Sequence, residues 1–188
     1  MKPSDKPNVP LKLCRADLND IPEFDLPSGF SIRWYQPGDE SHWLEIHLQA
    51  DRENEITPAL FEHQFGTDAV MLAQRQCYLL NEQNRPIGTG TAWFAEQFDV
   101  APIGRVHWVA LLPEYQGRGL SKPLLTSVCR RLRELGHTRA YLSTSSTRGR
   151  AIRLYMQFGF VPLIRNEDEG KIWEEILGKT CKKNLYRR

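Results

Sequence analysis

RVHWVALLPEYQGRGLSKPLL, residues 105–125, decides how this chain is read. Arg105 to Leu112 is apolar and rich in β-formers, and Pro113 stops it, so it is predicted as a strand. From Leu120 onward the period changes. Leu120, Leu124, Leu125, Val128, Leu132 and Leu135 fall on one face of a helix. Pro123 sits in the first turn, where a missing N–H costs nothing, and Gly136 follows as a stop. Between strand and helix lies Pro113-Glu114-Tyr115-Gln116-Gly117-Arg118-Gly119. Two glycines let a backbone turn sharply and approach a ligand without side-chain obstruction. The free N–H groups and dipole of the helix start then form an anion site, with Arg118 and Lys122 beside it. A phosphate or pyrophosphate is the natural ligand. Neither GxxxxGK[ST] nor GxGxxG is present, so the loop is not of the Walker or dinucleotide-binding kind.

The same unit divides the rest of the chain. Upstream, short strands are expected at 11–15 and 30–34, with a helix between Asp39 and about Asp51 that carries Trp43, Ile46, His47 and Ala50 on one face. Asp39 is its expected cap. Thr57-Pro58 opens a second helix that Gly66 closes. Cys77–Leu80 and Ile87–Ala95 are strands about a turn at Asn84-Arg85-Pro86, and 99–104 is a loop. Downstream, Arg139–Thr144 is a strand. Ala151, Leu154, Tyr155 and Phe158 mark a helix ended by Gly159. Phe160–Ile164 and Ile172–Leu177 are expected to be a closing hairpin about Glu167-Asp168-Glu169 and Lys171.

Length and composition set limits. With 188 residues, 40% hydrophobic and 26% charged, the chain suits one globular domain able to bury its own core. The expected organisation is a loosely attached or disordered segment 1–10, one domain over 11–178, and a basic tail over 179–188. A net charge of +2 is too small to imply nucleic acid or a membrane surface. Arg130, Arg131 and Arg133 read as a solvated helix face. No apolar run approaches the roughly 20 residues of a membrane span, and the polar, Pro-bearing start is not a secretory signal. Cys14, Cys77, Cys129 and Cys181 lack metal-ligand spacing and read as reduced thiols, which fits a cytoplasmic location. His42, His47 and His63 have no Asp or Cys at ligand spacing, so no metal site is expected.

Two linked motifs go further. Gln116-Gly117-Arg118-Gly119-Leu120-Ser121 resembles the Q/R-x-x-G-x-G/A signature of the GCN5-related N-acetyltransferase (GNAT) superfamily, with Ser121 at the last position. Arg148-Gly149-Arg150-Ala151-Ile152-Arg153-Leu154-Tyr155, then Gly159-Phe160, is similar to that family's N-x-x-A-x-x-L-Y and G-F. Arg148 stands where the family carries Asn, so the family's side-chain amide is missing there. The resemblance is strong over about 87–164 and only in outline before that.

The resemblance implies an α/β (α+β) fold. Its mixed, mostly antiparallel twisted sheet of about seven strands would be splayed at the cofactor site, with helices on both faces. It implies acetyl-coenzyme A as co-substrate, its pyrophosphate on the amides of Gln116, Gly117, Arg118, Gly119, Leu120 and Ser121 with Lys122 nearby. The pantetheine arm would pair with backbone at Val109, Ala110 and Leu111 in the splay, like an added strand.

The reaction implied is direct attack of a primary amine on the thioester. An alkyl amine has a pKa near 10.4, so only about one molecule in 2,500 is neutral at pH 7 and a base is useful. Tyr155, by its place in the motif, is the expected acid at the sulfur. His107 is the expected base. Period 2 along its strand would put it on the same side as Val109 and Leu111, and it is similar to the strand histidine of the serotonin N-acetyltransferases. A satisfied structural histidine, Glu96, Glu114 or a water chain are the alternatives. Trp93 and Trp108 could line an acceptor pocket. The acceptor, a small-molecule or protein amine, is not written in the motifs, nor are acyl length and the choice between monomer and homodimer. A non-catalytic acyl-coenzyme A sensor of the same fold is the alternative to an enzyme.

Overall fold

The computed structural model describes residues 8–95 and 103–178. Glu96, residues 1–7 and the 179–188 tail lie outside them. The described elements are β1 (Pro10–Arg15), β2 (Ser31–Trp34), α1 (Glu40–Ala50), α2 (Pro58–Phe65), α3 (Ala69–Arg75), β3 (Gln76–Leu80), β4 (Pro86–Phe94), β5 (Ile103–Leu111), a 3-10 turn (Pro113–Tyr115), α4 (Ser121–Glu134), β6 (Arg139–Ser145), α5 (Gly149–Gln157), β7 (Val161–Pro162) and α6 (Glu167–Leu177). Seven strands form one sheet in the order β2-β3-β4-β5-β6-β1-β7. Every neighbouring pair is antiparallel except β5 and β6.

The long amphipathic helix lies where its pattern puts it. Leu124, Leu125, Val128, Cys129 and Leu132 of α4 are buried against β4 and β5. A Cβ on Gly90 of β4 would come within 2.9 Å of Val128, so the missing side chain is what lets this helix lie close. On the other face, Trp43 of α1 packs against Phe61 and Phe65 of α2 and against Trp108 of β5, with centroids 5.4, 5.7 and 5.1 Å apart. Edge-to-face geometry of this kind adds to the burial itself. Thr57 caps α2 by accepting from the Leu60 N–H, as Thr-Pro predicts.

Two expectations are corrected and one helix is new. Residues 172–177 are not a strand but the second half of α6. Asn166 caps this helix by accepting from the Glu169 N–H, and the Glu169 carboxylate takes the Arg165 N–H in return, a near relative of the capping box. Trp173 is its buried anchor. The N-terminal strand β1 pairs antiparallel with β6, from Pro10↔Ser145 to Arg15↔Ala140. Asp39 does not cap α1. Its carboxylate accepts from the Gln36 N–H and pairs with Arg33 on β2. Helix α3 was not foreseen, although Asp68 marks its start by accepting from the Val70 and Met71 N–H groups.

Candidate active site

Strands β5 and β6 pair only over Ile103↔Arg139, Gly104↔Ala140 and Arg105↔Tyr141. β5 continues to Leu111 and β6 to Ser145, so the two part company and leave one edge of β5 from Val106 onward unpaired by β6. The gap is a cleft of about 1410 Å³ lined by Val106–Leu111 on one side and Ser143–Ser145 on the other. Its floor and ends come from α1 and its following loop, the Gln116–Lys122 segment, and α5. A sheet edge open to a cleft offers N–H and C=O groups to an extended ligand.

At one end the glycine loop meets α4. Gly117 and Gly119 have φ of +78° and +80°, the left-handed region that favours glycine, and a Cβ at either would meet nothing within 4 Å. Among the described residues nothing accepts from the N–H groups of Gly117, Arg118, Gly119 and Leu120. The first turn of α4 holds no acidic residue and does hold Lys122. A row of free donors at a helix start with a cation beside it suits a phosphate group. Gln116 ties the loop down by donating from its side-chain amide to the Leu111 carbonyl, at 3.0 Å.

Of the residues expected to hold the cofactor, Val109, Ala110, Leu111, Gln116, Gly117, Gly119, Ser121 and Lys122 line the cleft. The Arg118 side chain does not. Its guanidinium lies 5.1 Å from the centre of the Tyr115 ring. Leu120 is buried in the core. Only their backbones are available to a ligand.

The expected direction of His107 is corrected. A β-bulge intervenes: His107 opposes Thr91 and Ala110 opposes Thr89, so Trp108 and Val109 share the space opposite Gly90. Trp108 takes a φ of +46° to do this. The extra residue shifts the alternation by one. Val109 and Leu111 face α4, as their contacts with the Gly90 and Gly88 positions show. His107 faces α1 and α2, its ring 5.4 Å from Phe65 and 5.9 Å from Trp108. Trp108 is held from both helices. Its indole N–H donates to the Gln64 side chain at 3.0 Å, and the His47 ring lies 5.0 Å from its own by ring centres. Trp108 lines the cleft, whereas Trp93 packs on Phe65 behind it.

His107 and His47 are both buried, both line the cleft, and the Nε2 of each lacks a hydrogen-bond partner among the described residues. Burial holds His107 well below the ordinary imidazole value, helped by Arg105 and His47. Burial likewise takes His47 down to about 3, with Arg148 acting the same way and Asp51 and the Trp108 carbonyl opposing. Both are neutral at pH 7. Tyr155, on α5, lines the cleft with its hydroxyl unpartnered among the described residues. Burial pushes that hydroxyl up to about 12, against the nearby Arg148 charge, while Cys129 adds to the rise. Glu114, on the 3-10 turn, is exposed and outside the cleft.

Arg148 has a different place from the one its motif position implies. Its guanidinium reaches across the cleft mouth to Asp51 at 3.0 Å and Glu53 at 3.2 Å, in the loop after α1. Glu53 also accepts from Ser145 and Thr147. This clasp joins α5 and β6 to the α1–α2 loop. Nothing in the sequence motif announced it, because its two halves lie nearly 100 positions apart. No group of three or more His, Cys, Asp or Glu side chains that could hold a metal ion occurs among the described residues. No helix among them is long and apolar enough to cross a membrane.

The chain is similar to known proteins in sequence and in fold. Residues 31–160 match the family described as "Acetyltransferase (GNAT) family". The mycothiol acetyltransferase of Thermomonospora curvata is 29% identical over 158 residues, covering 78% of this chain and 50% of that protein. The mycothiol acetyltransferase of Pseudarthrobacter chlorophenolicus is 30% identical over 152 residues, covering 75% of this chain and 45% of that protein. The chain thus spans about half the length of these relatives. A GCN5-related N-acetyltransferase from Sphaerobacter thermophilus shares the fold with a TM-score of 0.67 at 19% identity, over 83% of this chain and 48% of that one. The ribosomal-protein-S18-alanine N-acetyltransferase of Escherichia coli does so with a TM-score of 0.58 at 18% identity, over 72% and 79%.

Proposed function

The chain belongs to the GNAT acetyltransferase family, and from that membership we propose that it transfers an acetyl group from acetyl-coenzyme A to a primary amine. The observation that carries the proposal is the cleft itself: an unpaired edge of β5 running from the acceptor side toward a row of free amides at the start of α4. The fit to the cofactor is specific in its chemistry. The Gly117–Leu120 amides and Lys122 suit a pyrophosphate, and the Val106–Leu111 edge suits the amide-bearing pantetheine arm. When bound, the cofactor supplies an activated acetyl thioester.

The residues then divide the work. A free β5 N–H polarises the thioester carbonyl and receives its developing charge. Tyr155 keeps its proton throughout the working pH range, since its hydroxyl is raised to about 12. It therefore donates a hydrogen bond to the departing sulfur without giving up its proton; the sulfur leaves as a thiolate and, with a pKa near 8.5, takes a proton from solvent at pH 7. His107 faces the acceptor side, neutral and with Nε2 unpartnered, and passes the amine's proton outward. Its depressed basicity suits it to a relay and not to holding a proton.

The mycothiol acetyltransferases to which the chain is similar make a small amine a reasonable acceptor class, with a protein amine as the alternative. A sensor without turnover would need neither a hydroxyl at Tyr155 nor two unpartnered imidazoles. Calorimetry with acetyl-coenzyme A, followed by release of free thiol across a panel of primary amines, tests the proposal. One-to-one binding with amine-dependent thiol release is expected. Binding without release on any amine, unchanged by Tyr155→Phe, would establish the sensor instead.

A further inference from the structure

Helix α2 buries Phe61 and Phe65, and Gln64 stands on the same side of the helix. Gln64 lines the cleft together with His107 and Trp108. The Trp108 indole N–H donates to its Oε1 at 3.0 Å. An indole N–H can only donate, so its partner must be the oxygen of the carboxamide, and this fixes which way the group is turned. Nε2, with its two N–H donors, is the end left over. It donates to nothing among the described residues. Nor is it one of the unpartnered polar atoms sealed in the interior. The carboxamide thus presents a pair of donors, held in one direction, at the wall of the cleft.

The β-bulge makes this arrangement possible. With φ of +46°, Trp108 shares the space opposite Gly90 with Val109 and turns its indole toward α1 and α2, not toward α4. Water solvates such donors until a ligand arrives, and a ligand without an oxygen at that point leaves them unmatched. The charges of the cleft argue against a second ammonium group. Asp51 and Glu53 are the carboxylates of its lining, and both are engaged by Arg148, with Asn54 also on Asp51 and Ser145 and Thr147 on Glu53. Arg52 and Arg105 belong to the same lining. A polyamine there would meet more positive charge than negative.

We infer that Gln64, aimed by Trp108, hydrogen-bonds an oxygen atom carried beside the acceptor's amino group. The acceptor is then an amine with a neighbouring hydroxyl or carbonyl, and not a polyamine. Gln64 is thus a specificity-determining residue of the acceptor end, supplied by α2 and separate from the cofactor's part of the cleft. This rests on the acetyltransferase reading, but its first test needs no turnover.

Gln64→Glu separates the roles, because a carboxylate still accepts from the Trp108 indole but offers no N–H. The probes are glucosamine with its oxygen-free partner cyclohexylamine, and glycinamide with isobutylamine, each added with coenzyme A present. In the ¹⁵N-labelled full chain the side-chain amide signal of Gln64 is identified by its loss in Gln64→Glu. It is expected to move with glucosamine or glycinamide and to stay in place with the matching oxygen-free amine. Movement with glucosamine alone assigns the oxygen to a hydroxyl, and with glycinamide alone to a carbonyl. For whichever of the two is acetylated, the ratio of its kcat/KM to its partner's should fall about 10-fold in Gln64→Glu, the span of one lost hydrogen bond. Taking the change in that ratio cancels the difference between the amines' own basicities. Acetyl-coenzyme A affinity should stay within about twofold. An amide signal unmoved by both oxygen-bearing amines, or moved as far by their partners, would overturn the inference. So would a ratio unchanged in Gln64→Glu, or a parent chain that acetylates putrescine faster than either. Absence of both cofactor binding and thiol release in the unsubstituted chain would instead overturn the proposed function, and the two failures are read separately.

Discussion

Gly117→Asp isolates the anion site from everything else in the fold. Gly117 lines the cleft with φ of +78°, and a side chain there would enter open space, since nothing lies within 4 Å of a Cβ. Any L-residue at such a φ is strained by roughly 1 kcal/mol, a cost that falls on folding. The carboxylate adds a second effect. One negative charge about 5 Å from a phosphate oxygen, at an effective dielectric of about 20, costs about 3 kcal/mol. That corresponds to roughly a 150-fold loss of affinity. Gly117→Asn carries the same backbone strain and nearly the same shape without the charge, and Asn is among the residues that tolerate this region best. Calorimetric titration with coenzyme A should therefore place Gly117→Asn within about fivefold of the parent and Gly117→Asp about 100-fold weaker. The gap between them should shrink as salt is raised, because the cleft is open to solvent. If Gly117→Asp binds within threefold of Gly117→Asn at low salt, the pyrophosphate is not at this loop and the reasoning from free amides fails.

Three further outcomes follow from the same geometry. Tyr155→Phe should lower kcat about 10- to 100-fold with cofactor affinity unchanged, since the lost hydrogen bond is made to the leaving sulfur; normal turnover in stopped-flow thiol release would remove Tyr155 from the mechanism. His47 has a folded value near 3, below its unfolded one, so its contribution to stability is complete above about pH 6.5 and is lost as pH falls from there toward 3. Urea midpoints at successive pH values should show His47→Gln relieving about 1.4 kcal/mol per pH unit of that slope between pH 6 and 4, and an unaltered slope would contradict a buried neutral imidazole. Arg148→Ala leaves the nearly buried Asp51 carboxylate without its cation and should cost about 1–3 kcal/mol in the same assay; a midpoint equal to the parent's would mean the clasp does not hold the α1–α2 loop.

The parts of the fold that were legible in sequence are those whose signal is local. Helix α4 follows from the spacing of Leu124, Leu125, Val128 and Leu132, and α2 from Thr57-Pro58 at one end and Gly66 at the other. The parallel splay of β5 and β6 could be expected only from the linked motifs, because no local pattern encodes where two strands stop pairing. Residues 172–177 misled because Ile172, Trp173, Ile176 and Leu177 are a short apolar set that either period can accommodate. The Asn166…Glu169 cap upstream was the signal that decides for a helix. The pairing of β1 with β6 spans about 130 residues and has no local mark at all.

The candidate site divides in the same way. The glycine loop and Tyr155 stand out by motif. The bulge at Trp108 does not, since a positive φ at tryptophan is unfavourable by itself and is held by contacts from two other helices, Gln64 of α2 and Trp43 and His47 of α1. Missing it reversed the side on which His107 faces. On α1, His47 reads as one more residue of an apolar face beside Trp43 and Ile46. Its place in the lining of the cleft is what separates it from them.

The central claim is that acetyl-coenzyme A lies along the free edge of β5 with its phosphates at the start of α4. Amide hydrogen exchange, followed by mass spectrometry with and without acetyl-coenzyme A, tests this without any assumption about the acceptor. Protection is expected in two separate stretches, 106–111 and 117–121, with β3 unchanged because its backbone is already paired on both sides. Protection of the loop with none along 106–111, or no change in either stretch at saturating acetyl-coenzyme A, would contradict the account.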